Sequence, residues 1–238
     1  MESHCWVGSL CNIIKQGSII RFPTNVVAVA DVITILEDLG NEIPPKSWML
    51  YLMEMFEKQN NIPVELNLIS QFDGKNDFWA IFKGKNRYKF TKVLPSVGHS
   101  YLRQIIMPKN NNKNNLIEYQ MYDLEYKIAE CFNFQASGDE QGLLSKEGSA
   151  HFTGIEWWNK VGNSPFPIRF KVEVSSLKFG QCNSGQINYR PYNALLPNKD
   201  RYALQYPISF GTPSIKNDCI CYTIMQGNCN TGLKFAVR

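Results

Sequence analysis

The chain lacks any long apolar run. Nowhere in its 238 residues do about 18 consecutive apolar side chains occur, so no transmembrane helix is expected. Its start, Met1-Glu2-Ser3-His4-Cys5-Trp6, has neither the basic opening nor the apolar stretch of a secretory signal. Asparagine is abundant, yet no Asn-x-Ser/Thr acceptor is present. Histidine is scarce, with three in all, and charged residues make up 19%, below the usual quarter, which argues against extended disorder. Gly-rich phosphate loops, paired metal-binding histidines on a helix and calcium loops are all absent. No repeat of fixed period occurs. A nucleotide enzyme on a doubly wound sheet is disfavoured further, because strands and helices do not alternate along the chain.

What is present is core material: 44% hydrophobic and 13% aromatic residues. The net charge of +4 is too small to imply a nucleic-acid partner by itself. Seven cysteines, Cys5, Cys11, Cys131, Cys182, Cys219, Cys221 and Cys229, form an odd set in a chain of this size. They read as free thiols, which fits a cytoplasmic or intracellular setting, or a virus assembled in one. The Asn-rich stretch 110–115 and the heavy use of Lys, Ile, Phe and Tyr suggest an AT-rich genome rather than a chemistry.

Periodicity predicts a single domain over 1–238, with a helical part at 24–60 and a β-rich part at 64–237. The first helix, 24–39, is capped by Thr24 or Asn25, carries Val29, Val32, Ile33, Leu36 and Leu39 at helical spacing, and stops at Gly40. The second opens at Pro44-Pro45 and carries Trp48, Tyr51, Leu52, Met55 and Phe56 as one apolar stripe. Beyond residue 63 the period becomes two. Strands are expected near 64–72, 78–83, 88–93, 101–107, 116–122, 124–134, 151–158, 168–179, 201–210, 219–226 and 232–237, with Pro207 marking an edge strand. Residues 135–150 read as a long mobile loop. The expected architecture is mostly β (α+β), an antiparallel sandwich or barrel of roughly ten strands with two N-terminal helices packed on it.

Five groups of residues invite chemistry. Cys219 and Cys221 share a strand parity, and Cys229 returns near them, a set that with one more ligand would suit tetrahedral zinc. The usual Cys-x-x-Cys knuckle is missing, so neither metal nor other cofactor is expected. Gly98-His99-Ser100 juxtaposes a base and a hydroxyl, but Leu102 stands where a nucleophile elbow needs glycine. Cys131 could meet His99 or His151 only through the fold. Glu156 precedes Trp157-Trp158, an acid beside aromatic platforms, with no second acid tied to it. The hairpin 83–92 interleaves Lys83, Lys85, Arg87, Lys89 and Lys92 with Tyr88 and Phe90, and could face an anionic partner, nucleic acid or membrane surface. Lysines on an exposed strand also guard edges against aggregation.

These features favour a non-enzymatic structural or binding protein that acts through its surfaces, of a self-assembling, viral type. Adjacent Trp157 and Trp158 on one strand must point to opposite faces, so one is available for contact between copies and a homo-oligomer is expected. The alternative is a hydrolase with a site near His99, His151 and a cysteine such as Cys131. A second alternative is an anionic-surface or nucleic-acid binder that uses Lys85, Arg87 and Lys89.

Overall fold

The computed structural model describes residues 3–12, 26–37, 47–59, 62–72, 78–83, 86–107, 115–138, 140, 149–159, 171–191, 202–203, 208–210, 214–216 and 219–226. Among them lie sixteen strands and no helix. In chain order these are β1 (Ser3–Asn12), β2 (Val26–Glu37), β3 (Ser47–Gln59), β4 (Ile62–Phe72), β5 (Phe78–Lys83), β6 (Asn86–Lys89), β7 (Ser100–Ile106) and β8 (Leu116–Asp123). They continue with β9 (Ile128–Gln135), β10 (Ser149–Asn159), β11 (Lys171–Asn183), β12 (Gln186–Pro191), β13 (Tyr202–Ala203), β14 (Ile208–Phe210), β15 (Ser214–Lys216) and β16 (Cys219–Gln226).

All pair antiparallel, in two sheets. The first has seven strands, in the order β13-β1-β10-β3-β4-β5-β6. The second has nine: β14-β16-β11-β2-β7-β8-β9, with β12 beside β11 and β15 beside β16. Short β14, which follows Pro207 directly, ends its sheet, as a strand beside proline should.

The two expected helices are corrected to β2 and β3. The physical reason is that short apolar runs satisfy helical and strand spacing equally well. In β2, seven of the twelve residues (Val26, Val27, Val29, Val32, Ile33, Thr34 and Ile35) are β-branched and favour the pleated backbone. The strand lies between β11 and β7 in the middle of its sheet, and residues 26–31 are buried on both faces. Strand β3 is likewise flanked on both sides, by β10 and β4. The single strand expected over 124–134 is also corrected. Residues 124–127 form a turn, and β8 and β9 flank it as a hairpin. Asp123 makes this turn, its Oδ1 accepting the N–H groups of Glu125 and Tyr126 at 2.9 Å each.

Burial alternates cleanly along β7 and β8. Tyr101, Arg103, Ile105, Ile117, Tyr119 and Met121 are buried on the inner face, while Leu102, Gln104, Glu118, Gln120 and Tyr122 lie half-buried on the outer one. The inner face meets the seven-stranded sheet through aromatic pairs: Trp79 of β5 against Tyr101 at 5.0 Å, and Tyr88 of β6 against Phe134 of β9 at 4.6 Å. Phe90, just past β6, meets Phe132 at 5.0 Å edge-on. Within this core Asp31 and Arg103, cross-strand partners on β2 and β7, form a bidentate ion pair at 2.8 and 2.6 Å, both fully buried. A register slip of one residue would turn either charge to the other face, so the pair ties β2 to β7 in one alignment.

Residues 136–138 and 140, inside the span expected to be a mobile loop, are anchored. Ala136 donates its N–H to Asn115 O at 2.7 Å, and buried Glu140 accepts from Lys83 Nζ at 2.8 and 3.0 Å and from Ser137 N–H at 2.7 Å. The strand expected at 232–237 lies outside the described residues.

Candidate functional site

Strand alternation gathers polar side chains on the outer face of the nine-stranded sheet. Gln104 and Gln120 are direct cross-strand partners, and Gln120 in turn stands opposite Cys131 of β9. Glu118, two residues from Gln120 on the same face, accepts from its Nε2 at 2.5 Å. From three strands away in the sheet order, the hydroxyl of Tyr189 donates to Gln104 Oε1.

That reach depends on small residues. Tyr189 of β12 lies opposite Gly180 of β11, and Gly180 lies opposite Ala28 of β2. A Cβ on Gly180 would sit 2.5 Å from Ile187 Cγ2, 3.0 Å from Ala28 Cβ and 3.2 Å from Tyr189 Cε1. Only glycine leaves room for the tyrosine ring to cross. The β11–β12 hairpin that presents Tyr189 turns through Ser184 and Gly185, whose φ values of 50° and 82° are those of a type I′ turn. Burial, with the nearby Glu118 charge adding to it, pushes the Tyr189 phenol up to about 12. Beside this row runs an open groove of about 320 Å³, lined by Leu102, Gln104, Gln120, Tyr122, Ala129 and Cys131. Its exposed lining is mostly apolar, with two amides and a phenol as polar points that could orient a ligand.

The sequence-derived candidates fall elsewhere or apart. His99 is not without an acid: its Nδ1 lies 2.9 Å from Asp123 Oδ2, and its ring meets Tyr126 edge-on at 4.5 Å. Because the same carboxylate holds the 124–127 turn, the contact joins that turn to the loop before β7. The Tyr101 hydroxyl secures the loop further, donating to Leu94 O at 2.9 Å and accepting from Ser96 N–H at 2.7 Å. Ser100 does not face His99, its hydroxyl being 2.9 Å from Thr34 Oγ1 on the outer face. Cys131 is exposed on that outer face too, whereas Asp123 and the His99 contact belong to the inner one. His151 lies on β10 in the other sheet, opposite Cys11 and Met55.

Trp157 and Trp158 are also on β10, where Trp158 is in register with His4 and Trp48. Cys219 and Cys221 lie on β16, opposite Lys216 and Ser214. Cys229 and Lys85 fall outside the described residues. Cys131 and Cys182 are free thiols, and among the described residues no cluster of potential metal ligands occurs. No helix there is long and apolar enough to cross a membrane.

Arg87 and Lys89 are exposed on β6, and both cations lie over the Phe78 ring, at 4.9 and 3.9 Å from its centroid. Past β6 the Glu130 carboxylate accepts three successive main-chain N–H groups, from Thr91 at 2.9 Å, Lys92 at 2.7 Å and Val93 at 3.3 Å. Burial raises the Glu130 carboxyl, but these N–H groups outweigh it and hold the group below the usual carboxylate value. Sequence reading missed Gln104, Glu118, Gln120 and Tyr189. Their one sequence signal is strand parity, and their convergence depends on a register that distant strands set.

No family model matches the chain, and no curated protein matches it by sequence. Its fold resembles that of scytalido-glutamic peptidase, solved with a transition state analog inhibitor, at TM-score 0.53 and 12% identity, over 93% of this chain and 98% of that one. A second structure of that peptidase, with a peptide-based analog, aligns at TM-score 0.48 and 11% identity over 93% and 98% of the two chains. SCP-B, a member of the eqolisin family of peptidases in complex with a tripeptide, aligns at 0.45 and 11% over the same shares.

Proposed function

We propose that this protein is a non-enzymatic binding protein that takes a polar ligand on the outer face of its nine-stranded sheet. The observation that carries this reading is the pair of hydrogen bonds, Tyr189 to Gln104 and Gln120 to Glu118, that hold two neighbouring glutamines beside the groove they line. Each glutamine, held by its own partner, loses little freedom when a ligand arrives, so its hydrogen bonds count toward affinity. The matching ligand class is rich in hydroxyl or amide groups: a short sugar chain or an extended peptide. Self-association belongs to the same reading, with the two sheets as layers of a sandwich and the Trp157–Trp158 segment of β10 at a contact between copies.

A second reading is peptide hydrolysis. It is favoured by the likeness of fold to a glutamic peptidase and by the place of Glu156 on β10, an inner strand, in register between Trp6 and Leu50. One experiment separates the two. The protein is titrated calorimetrically with panels of oligosaccharides and peptides, alongside its Gln104→Leu, Gln120→Leu and Glu156→Gln variants, and peptide cleavage is followed in parallel. Binding lost in both glutamine variants, without turnover, is the expected result. Cleavage that Glu156→Gln abolishes would replace the first reading by the second, and binding indifferent to Gln104 and Gln120 would remove the groove from either.

A further inference from the structure

Among the described residues six large apolar side chains are exposed, and all six lie at one end of the nine-stranded sheet. Leu94 and Val97 belong to the loop before β7, Leu124 and Tyr126 to the β8–β9 turn; Ile128 opens β9 and Leu36 lies near the end of β2. Leu94, Val97 and Tyr126 are 51%, 50% and 67% exposed. The loop and the turn lie inside the unbroken described stretches 86–107 and 115–138. They adjoin each other: Leu124 donates its N–H to Ser100 O at 2.9 Å, and the His99 ring meets the Tyr126 ring at 4.5 Å. Gly98 donates to Ile35 O at 2.7 Å, which brings the loop beside Leu36. The surface is also held in place. Asp123 fixes the turn through the N–H groups of Glu125 and Tyr126 and pairs with His99, and the Tyr101 hydroxyl bridges Leu94 O and Ser96 N–H. Apolar side chains carried on a fixed backbone lose little freedom when they are covered. The largest apolar patch of an ordinary monomer is about 300–600 Å² and is often functional.

The charges around Tyr126 indicate what covers this patch. Glu125 and Lys127 flank it, and both are exposed. Lys127 has a φ of 57°, a left-handed conformation that glycine or asparagine ordinarily supplies and that a lysine adopts at a cost. A charge kept at such a position points to a use for it. A two-fold axis at Tyr126 sets each Tyr126 against its copy and each Glu125 against the partner's Lys127, so the turn is complementary to itself. An anionic membrane surface would instead meet Glu125 as a like charge in the middle of the patch.

We propose that this end of the sheet is a contact between two copies of the chain, related by a two-fold axis at Tyr126, with Glu125 paired to the partner's Lys127. The inference rests on the self-association proposed above and adds a second surface to it, on the other sheet from Trp157 and Trp158. The apolar side chains supply the affinity, and the charges fix the alignment. A patch of this size places the contact among weak, reversible ones.

The test is sedimentation equilibrium of the intact protein over a concentration series at physiological salt. The parent should show a monomer–dimer equilibrium. Tyr126→Ser should weaken it by about tenfold or more, because buried tyrosines dominate such contacts. Glu125→Lys and Lys127→Glu should each weaken it several-fold, and the double variant Glu125→Lys/Lys127→Glu, which restores the pairing in reverse, should recover the parent's association. Lys127→Gly separates charge from backbone: it relieves the left-handed position, so it should raise the melting temperature of the dilute monomer while weakening the dimer. Circular dichroism matching the parent verifies that each surface variant is folded. A double charge variant no better than either single one would overturn the two-fold pairing. Association that survives Tyr126→Ser but is lost on replacing Trp157 and Trp158 would leave self-association standing and remove this surface. A monomer at every concentration defeats both. Binding of a monomeric parent to phosphatidylserine vesicles, abolished by Tyr126→Ser, would assign the patch to a membrane instead.

Discussion

Replacing Asp31 by alanine takes the bidentate carboxylate away from the Arg103 guanidinium in the core. Both side chains are fully buried, and the two hydrogen bonds of 2.8 and 2.6 Å span one cross-strand pair. Removing one member of such a pair costs about 3–5 kcal/mol, because the remaining charge stays in low dielectric without the bidentate bonds that offset its desolvation. Against a total stability of about 5–15 kcal/mol this is a large fraction. With a urea m-value of about 2 kcal/mol/M it lowers the unfolding midpoint by about 1.5–2.5 M. Arg103→Met should cost a similar amount. The double variant Asp31→Val/Arg103→Met exchanges the pair for apolar packing and should recover most of the loss, giving a coupling energy of several kcal/mol. Urea unfolding of the four proteins, followed by tryptophan fluorescence, closes the cycle. Single substitutions that cost under about 1 kcal/mol, or a double variant as unstable as the sum of the singles, would refute the argument. A binding readout adds a separate arm. If the pair fixes β2 against β7, the recovered double variant should present Gln104 less uniformly and bind groove ligands more weakly than its stability suggests.

Gly180→Ala should push Tyr189 off its path across Ala28, so its phenol, raised to about 12, should titrate nearer 10 in an ultraviolet pH titration; an unmoved titration would show the ring has another route. Burial raises the Glu140 carboxyl, but hydrogen bonds from Lys83 and Ser137 and the Lys83 charge hold it below its usual 4.5. Its contribution is therefore present above the unfolded value and is lost as pH falls through the lower folded value. The stability gap between the parent and Glu140→Gln should be widest near neutrality and shrink in acid, and a gap that grows in acid would contradict the sign. Exposed Cys131 should react with a thiol reagent before half-buried Cys182, and Cys131→Ser should remove the fast phase; a fast phase that survives belongs to another thiol. Light scattering over a concentration series should show self-association, whereas a monomer of 27.3 kDa at every concentration would defeat it.

Elements built on strict alternation were legible from sequence: β7 and β8 lie where alternation placed them, and β5, apolar throughout its first five residues, lies where a hairpin partner after Asp73-Gly74 was expected. Misreadings occurred where the pattern was ambiguous or the decisive contact was distant. In β2, Val29, Val32, Ile33 and Leu36 suit a helix as well as a strand buried on both faces, and pairing with β11 and β7 decides. The β8–β9 turn contains no glycine or proline to announce it, because the Asp123 side chain does the work through two main-chain N–H groups. Strand β1 carries Gly8, Cys5 and Cys11 and shows no clear period. The candidate site was hidden for a related reason. Nothing local brings Tyr189 to Gln104; the hairpin turn at 184–185, the absent side chain at Gly180 and the β11–β2–β7 register do so together.

The pairings β1–β10 and β2–β11 join residues such as Ser3 with Asn159 and Val29 with Phe179. On a ribosome the first strand of each pair leaves the exit tunnel about 150 residues before its partner, roughly 8–30 s earlier at ordinary elongation rates of about 5–20 residues per second. For that interval β2, a run of valine and isoleucine with one edge lacking the neighbour β11, waits as a ready template for other nascent chains. Protection during synthesis, whether by a holding chaperone or by early docking on β7, is therefore a requirement this topology places on the cell. Truncations that end before residue 171 should be retained by such factors or precipitate, while chains that extend past β11 should be released.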